Sequence, residues 1–170
     1  TVVSLSVDKM TTEADLIVRG VVNSRTTQWN QAKTRIYTIT KINIQETYKG
    51  SVKASNSISI RQIGGEIDGL VQTIAGNAKF SVGEEVIVFL ESHPTEGIHF
   101  VMGMAQGKYS INRVHNPPVI SRSINSLHRV NVRQIQPVLH IVTPTSPAPL
   151  PTLVSLVSQI QNALAPAQSF

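Results

Sequence analysis

Five strand-like blocks follow one another with no helix between them, over residues 14–23, 35–48, 55–63, 84–90 and 98–111. Consecutive strands without crossover helices pair antiparallel, and five of them can close on themselves. The order therefore predicts an all-β fold with minor α: a five-stranded, partly open antiparallel barrel. A short helix is expected before it, over residues 6–13, with Ser6 as N-cap and Asp8 in the first turn. An amphipathic helix is expected after it. Leu153, Leu156, Val157, Ile160 and Leu164 fall on one stripe at helical spacing, and docking that stripe on the body is the simplest use of it.

The strands differ in character. Residues 16–22 are apolar on both faces except Arg19, and Gly20 among them predicts a bulge or bend. Residues 23–34 are polar and read as a loop. In residues 35–48, Ile36, Thr38, Thr40, Ile42 and Ile44 share one face. Ile58 and Ile60 alternate inward, and residues 86–90 are apolar on both faces, the mark of a buried strand. Residues 64–81 read as a long glycine-containing loop, and loops of that length tend to be functional. Seven of the nine prolines lie in residues 114–151. Within that stretch, residues 129–141 are expected along a sheet edge and residues 143–151 as an extended linker. Two units follow: residues 1–142 as the β domain with a basic, proline-containing extension, and residues 143–170 as linker plus docked helix.

The chain has 170 residues and no cysteine. That length suits one domain with a sizeable core. The missing thiols exclude disulfides, thiolate metal sites and cysteine nucleophiles together. No apolar run is long enough to span a membrane as a helix. A cysteine-free chain rich in Ser, Thr, Asn and Gln that starts at Thr1 is read as a secreted or periplasmic bacterial protein, although an artificial start at Thr1 fits equally.

Charge is uneven. Residues 1–96 hold ten basic and ten acidic side chains, whereas residues 97–170 hold Lys108, Arg113, Arg122, Arg129 and Arg133 and no acid. These five are the candidate anion-binding residues, for an anionic polymer or an envelope surface approached by residues 97–133. The plainer reading is that they answer acids from the first half. Nucleic acid is not the expected partner, because Trp29, Tyr37, Tyr48 and Tyr109 are few and dispersed as stacking platforms.

Catalytic and metal motifs are not apparent. The glycines at 64, 65 and 69 lack the Gly-Lys-Ser/Thr of a phosphate loop. Met102 and Met104 share a strand face with Phe100 while His99 points away, which reads as core rather than copper site. Glu91, His93 and Glu96 read as a polar turn. Serines, histidines and Asp15 or Asp68 would make a triad only by geometry, which spacing cannot show. No catalytic residue, metal or cofactor is assigned, and the chain is read as a non-enzyme.

Three segments carry a resemblance. They are Ala14-Asp15-Leu16-Ile17-Val18-Arg19-Gly20, the stretch from Arg35-Ile36 to Tyr48-Lys49-Gly50, and Gly83-Glu84-Glu85-Val86-Ile87-Val88 before a last strand over residues 102–108. In this order they resemble the N-terminal domain of the tissue inhibitors of metalloproteinases and the related netrin-type modules, over roughly residues 5–113. They also resemble uncharacterised bacterial secreted proteins with an Ala-Asp-x-Ile-Val-Arg-Gly start. The resemblance implies a barrel of the oligonucleotide/oligosaccharide-binding (OB) type with a helix packed on it, and it implies protease inhibition. In that family an N-terminal cysteine chelates the catalytic zinc through its amine and carbonyl; here Thr1 stands in that place. The expected function is an exported protein-binding module, with inhibition of a secreted metallopeptidase as its specific form. The expected contacts are Thr1, Trp29 in the 26–33 loop, and Gly64, Gly65, Glu66 and Asp68 in the 64–81 loop.

Overall fold

The computed structural model describes residues 4–53, 55–122 and 151–165. Helix α1 (Val7–Glu13) opens it, and the Ser6 hydroxyl accepts the Lys9 N–H at 3.2 Å as its cap. Strand β1 (Leu16–Trp29) pairs antiparallel with β2 (Ile36–Lys49), and β3 (Ser57–Ile63) adds antiparallel to β2. A small hairpin follows, made of β4 (Gly65–Ile67) and β5 (Leu70–Gln72). Strand β6 (Glu85–Ser92) returns beside residues 16–21 of β1, and β7 (Ile98–Val101) pairs with both β6 and β3. The order β1-β2-β3-β7-β6 thus closes back on β1 as a ring of five strands. Strand β8 (Lys108–Asn112) takes the remaining edge of β6 at residues 86–88, and β9 (Val119–Ser121) extends it. Helix α2 (Leu153–Leu164) ends the described chain, with Thr152 as its cap.

Three elements differ from the sequence reading. The ring is not wholly antiparallel, because β7 meets β3 in parallel through Ser59↔Ile98 and Ile60↔His99. Directions must alternate in an antiparallel ring, and five is an odd number, so one contact has to be parallel. The strand expected over residues 98–111 is split. A turn with Gly103 at φ 61° and a short 3₁₀ segment, Met104–Gly107, divides β7 from β8. A Cβ on Gly107 would overlap the Met102 carbonyl oxygen, so the tight path requires glycine. Finally, β1 does not end near Asn23. It bulges between Val22 and Ser24 and runs on to Trp29, leaving a turn of only residues 30–35. The Asn30 side-chain oxygen closes that turn by accepting the N–H groups of Thr34 and Arg35, at 2.8 and 2.9 Å. Backbone pairing with β2 suffices for this arm. It is polar because little covers it.

Two apolar clusters explain the strands that are apolar on both faces. Leu16, Val18, Val86, Val88 and Leu90 point into the ring with Ile42, Ile58, Ile60 and Phe80. Ile17, Ile87 and Phe89 point outward, where they meet Met10 of α1, Tyr109 of β8, and Leu156 and Ile160 of α2. Gly20 lies at a bulge, and a Cβ there would collide with the Asn43 carbonyl oxygen of β2. The apolar stripe of α2 thus packs on α1 and the outer face. Met102 belongs to this outer cluster; Met104 does not, and Phe100 is half-buried beneath Arg61 instead. The edge strand expected over residues 129–141 and most of the 143–151 linker lie outside the described residues.

Ile160→Ala should cost about 2–4 kcal/mol in urea unfolding, the usual range for a truncated, fully buried aliphatic side chain. Val154→Ala, on the 63% exposed side of the same helix, should stay within about 0.5 kcal/mol. Equal effects would mean that α2 is not docked by this stripe.

Candidate functional site

The segment read as a loop over residues 64–81 holds the β4–β5 hairpin. Its tip is Asp68-Gly69, both left-handed at φ 52° and 77°, a two-residue turn that matches the strand twist. The hairpin is tied to the far ends of β1 and β2. The Gly64 N–H donates to Ile36 O at 2.8 Å, and the Thr38 hydroxyl to Gly64 O at 2.7 Å. The Thr27 hydroxyl donates to Glu66 O, and the Gln72 side chain accepts the Ile36 N–H, both at 2.9 Å. Gly65 has φ 142°, and a Cβ there would come within 2.7 Å of the Thr38 hydroxyl and 2.9 Å of a Thr27 methyl. Only glycine lets the hairpin lie this close.

This anchored hairpin displays apolar side chains to solvent. Leu70 is 58% exposed and Val71 66%, with Ile63 and Ile74 beside them at 38% and 37%. Between the hairpin and residues 73–79 runs a groove of about 390 Å³, with Thr38, Gln62 and Ala78 among its lining and Arg25, Glu66 and Lys79 as charged members. Gln62 and Asn77 hold its walls by donating to Ala78 O and Ile63 O.

The structure brings Gly64, Gly65, Glu66 and Asp68 together here. Trp29 belongs to the end of β1, not to a loop, and Thr27 of the same strand touches Glu66. Thr1 lies outside the described residues. Of the five candidate anion-binding residues, Lys108, Arg113 and Arg122 are described. Lys108 is only 6% exposed; it donates to Glu84 at 2.7 Å and to Lys79 O, above the Phe80 ring. Arg113 grips Glu85 with two bonds, at 2.5 and 2.7 Å. Arg122 lies over the Tyr109 ring, 5.0 Å from its centroid. Lys108 and Arg113 thus answer acids of the first half. Arg129 and Arg133 lie outside the described residues.

Among the described residues no three His, Asp or Glu side chains group to hold a metal. The His93 ring nitrogen accepts the N–H groups of Thr95 and Glu96, which organises the polar turn. A close hydroxyl–imidazole pair forms elsewhere. Ser92 and His99 face each other across β6 and β7 with Oγ and Nδ1 2.9 Å apart, while Asp15 accepts the Ser92 N–H. The Ser92 amide is therefore committed to Asp15, and the hairpin groove lies elsewhere.

No protein-family model matches the chain, and no curated protein is significantly similar to it. The hairpin had a signal in sequence that the loop reading passed over: Asp-Gly between Ile67 and Leu70 is the usual two-residue turn between short apolar strands.

The titrating groups give a two-step pH dependence. Partial burial lowers the His99 pKa, opposed by the Asp15 charge. The unfolded chain then binds its proton first, so stability falls as pH drops below the ordinary histidine value of about 6.5. Burial pushes Glu84 up, but bonds from Lys108, Ser110 and the Ser81 N–H together hold it below its usual value; Glu85 is lowered chiefly by its bond from Arg113. Their contribution is present above the carboxylate range and is lost as pH falls through their lowered values. Urea midpoints measured against pH should show both declines, and His99→Gln should flatten only the upper one. An unchanged slope between neutrality and about pH 5 in that variant would contradict the assignment.

Proposed function

We propose that this protein is a non-enzymatic protein-binding module that holds its partner with the β4–β5 hairpin and the adjoining groove, on a small barrel of the OB type. The five-strand ring with one parallel contact supports the barrel reading. The observation that carries the function is the pairing of exposure with rigidity: Leu70 and Val71 are open to solvent on a hairpin fixed by four hydrogen bonds from or to β1 and β2. Contiguous exposed apolar patches mark interaction sites. An element already ordered loses little entropy when a partner arrives.

Its specific form is inhibition of a secreted zinc peptidase by an exported bacterial protein, which the likeness to metalloproteinase inhibitors motivates. The purified protein, titrated in excess against a panel of secreted zinc peptidases, should suppress turnover of at least one. The double variant Leu70→Asp, Val71→Asp should weaken that inhibition tenfold or more, about 1.4 kcal/mol, while its melting stays close to that of the parent. Unchanged turnover across the panel would remove the inhibitor form. Inhibition that survives the double variant would remove the hairpin from the site.

A further inference from the structure

Among the described residues, the outer half of β1 leaves one edge without a partner. Strand β6 covers β1 only along residues 16–21, and the last bonds on that side join Val22 to Gly83 and Glu84. From Ser24 to Trp29 the register with β2 is regular for six residues, with no strand on the other side among the described residues. The direction of the free groups follows from the turn. The Asn30 N–H bonds to Arg35 O, so residues 28, 26 and 24 exchange bonds with β2 and residues 29, 27 and 25 face away. Ile36, opposite Trp29, agrees: it directs its N–H to Gln72 and its carbonyl to Gly64, both away from β1. The N–H and C=O groups of Arg25, Thr27 and Trp29 therefore form an open hydrogen-bonding row.

The same arm is strongly basic. Between Asp15 and Glu46 the chain has five cations and no acid. Arg19 is bound by Glu46 and Glu85. Arg25, Lys33, Arg35 and Lys41 all lie on the arm or its turn, are exposed, and have no side-chain bond or ion pair among the described residues. A cluster of four unanswered cations thus sits on the first hairpin, whereas Lys108 and Arg113 of residues 97–122 are paired with Glu84 and Glu85.

Resting on the protein-binding reading, we propose that an acidic, extended peptide segment of the partner adds as a strand to the open edge of residues 24–29. Main-chain bonds supply the affinity and the arm's cations supply the selectivity. A second copy of this chain is the poorer occupant, because edge-to-edge pairing would bring Arg25, Lys33 and Arg35 against their own kind. Edge strands are often blunted by proline, charge or a bulge. Here the bulge precedes the free stretch, the only charge within it is Arg25, and there is no proline.

The test uses the full chain and a labelled, capped octapeptide alternating glutamate with valine. Binding is read by anisotropy and by the fluorescence of Trp29, the only tryptophan and the end of the edge. Saturable binding that weakens with salt is expected. Thr27→Pro deletes one edge-facing N–H while leaving the ladder to β2 intact, and should weaken binding tenfold or more. Thr27→Val keeps the N–H, loses only the hydroxyl bond to Glu66, and should bind like the parent. Arg25→Glu with Arg35→Glu should also cost at least tenfold. If Thr27→Pro fails to fold, N-methylating either all valines or all glutamates of the peptide asks the same question, and one of the two sets must lose binding.

Absence of binding, or a folded Thr27→Pro variant that binds as tightly as the parent, overturns the proposal. So does binding of heparin or oligothymidine, equal in parent and Thr27→Pro, when the peptide also binds both alike or binds neither, which would make the arm a polyanion surface. Dimerisation of the parent that Thr27→Pro abolishes would assign the edge to a second copy. The Leu70→Asp, Val71→Asp variant separates the two readings: inhibition that survives it removes the hairpin and leaves the edge, and loss of inhibition without loss of peptide binding does not touch the edge.

Discussion

The pairing of β1 with β6 is the contact on which the rest of the molecule depends. Residues 16–21 and 85–90 lie side by side, and alternate residues of both are fully buried in opposite directions. One set fills the ring, and the other makes the floor on which α1, α2 and β8 assemble. A substitution in this pair opens one core or the other, according to the face its side chain takes. The two helices are not additions to a finished sheet, since the outward faces of Ile17, Ile87 and Phe89 would be bare without them.

Closure brings its own constraints. Five strands cannot alternate direction all the way round, so β7 and β3 must run parallel where they meet. The contact is short, two residue pairs, and the strand that makes it is cut off by the Met104–Gly107 turn. That turn frees the chain to come back as β8 on the same edge of β6, which is how Lys108 and Arg113 reach Glu84 and Glu85. These ion pairs match two of the five cations of the second half, Lys108 and Arg113, with acids of the first.

Much of this was legible in the residues. The alternation of Ile36, Thr38, Thr40 and Ile42, the doubly apolar runs around Val18 and Val88, the Ser6 cap and the Leu156–Ile160 stripe report burial directly, because each follows from the period of its own element. What stayed hidden is what burial does not write. The outer half of β1 buries no apolar side chain and is held chiefly by backbone bonds to β2, so its polar side chains read as a loop. The parallel contact follows from counting strands in a closed ring and from no residue. The hairpin over Gly65 depends on close approach to Thr27 and Thr38, which lie far away in sequence. Charge totals do not show pairing, because the ion pairs of Lys108 and Arg113 join residues more than twenty positions apart, while Arg25, Lys33, Arg35 and Lys41 stand unpaired among the described residues in a half of the chain whose total is zero.

Strand β1 is thus one continuous element with two environments, bonded among the described residues on both edges up to Val22 and on one edge beyond it. Residue-resolved hydrogen exchange tests this most directly. The amides of residues 16–22 should be the slowest to exchange, and beyond the bulge protection should alternate, with Ser24, Thr26 and Gln28 slow and Arg25, Thr27 and Trp29 fast. Uniform protection along residues 24–29 would mean that the outer edge is covered, and uniformly fast exchange there would mean that the arm is not a strand; either result contradicts the account.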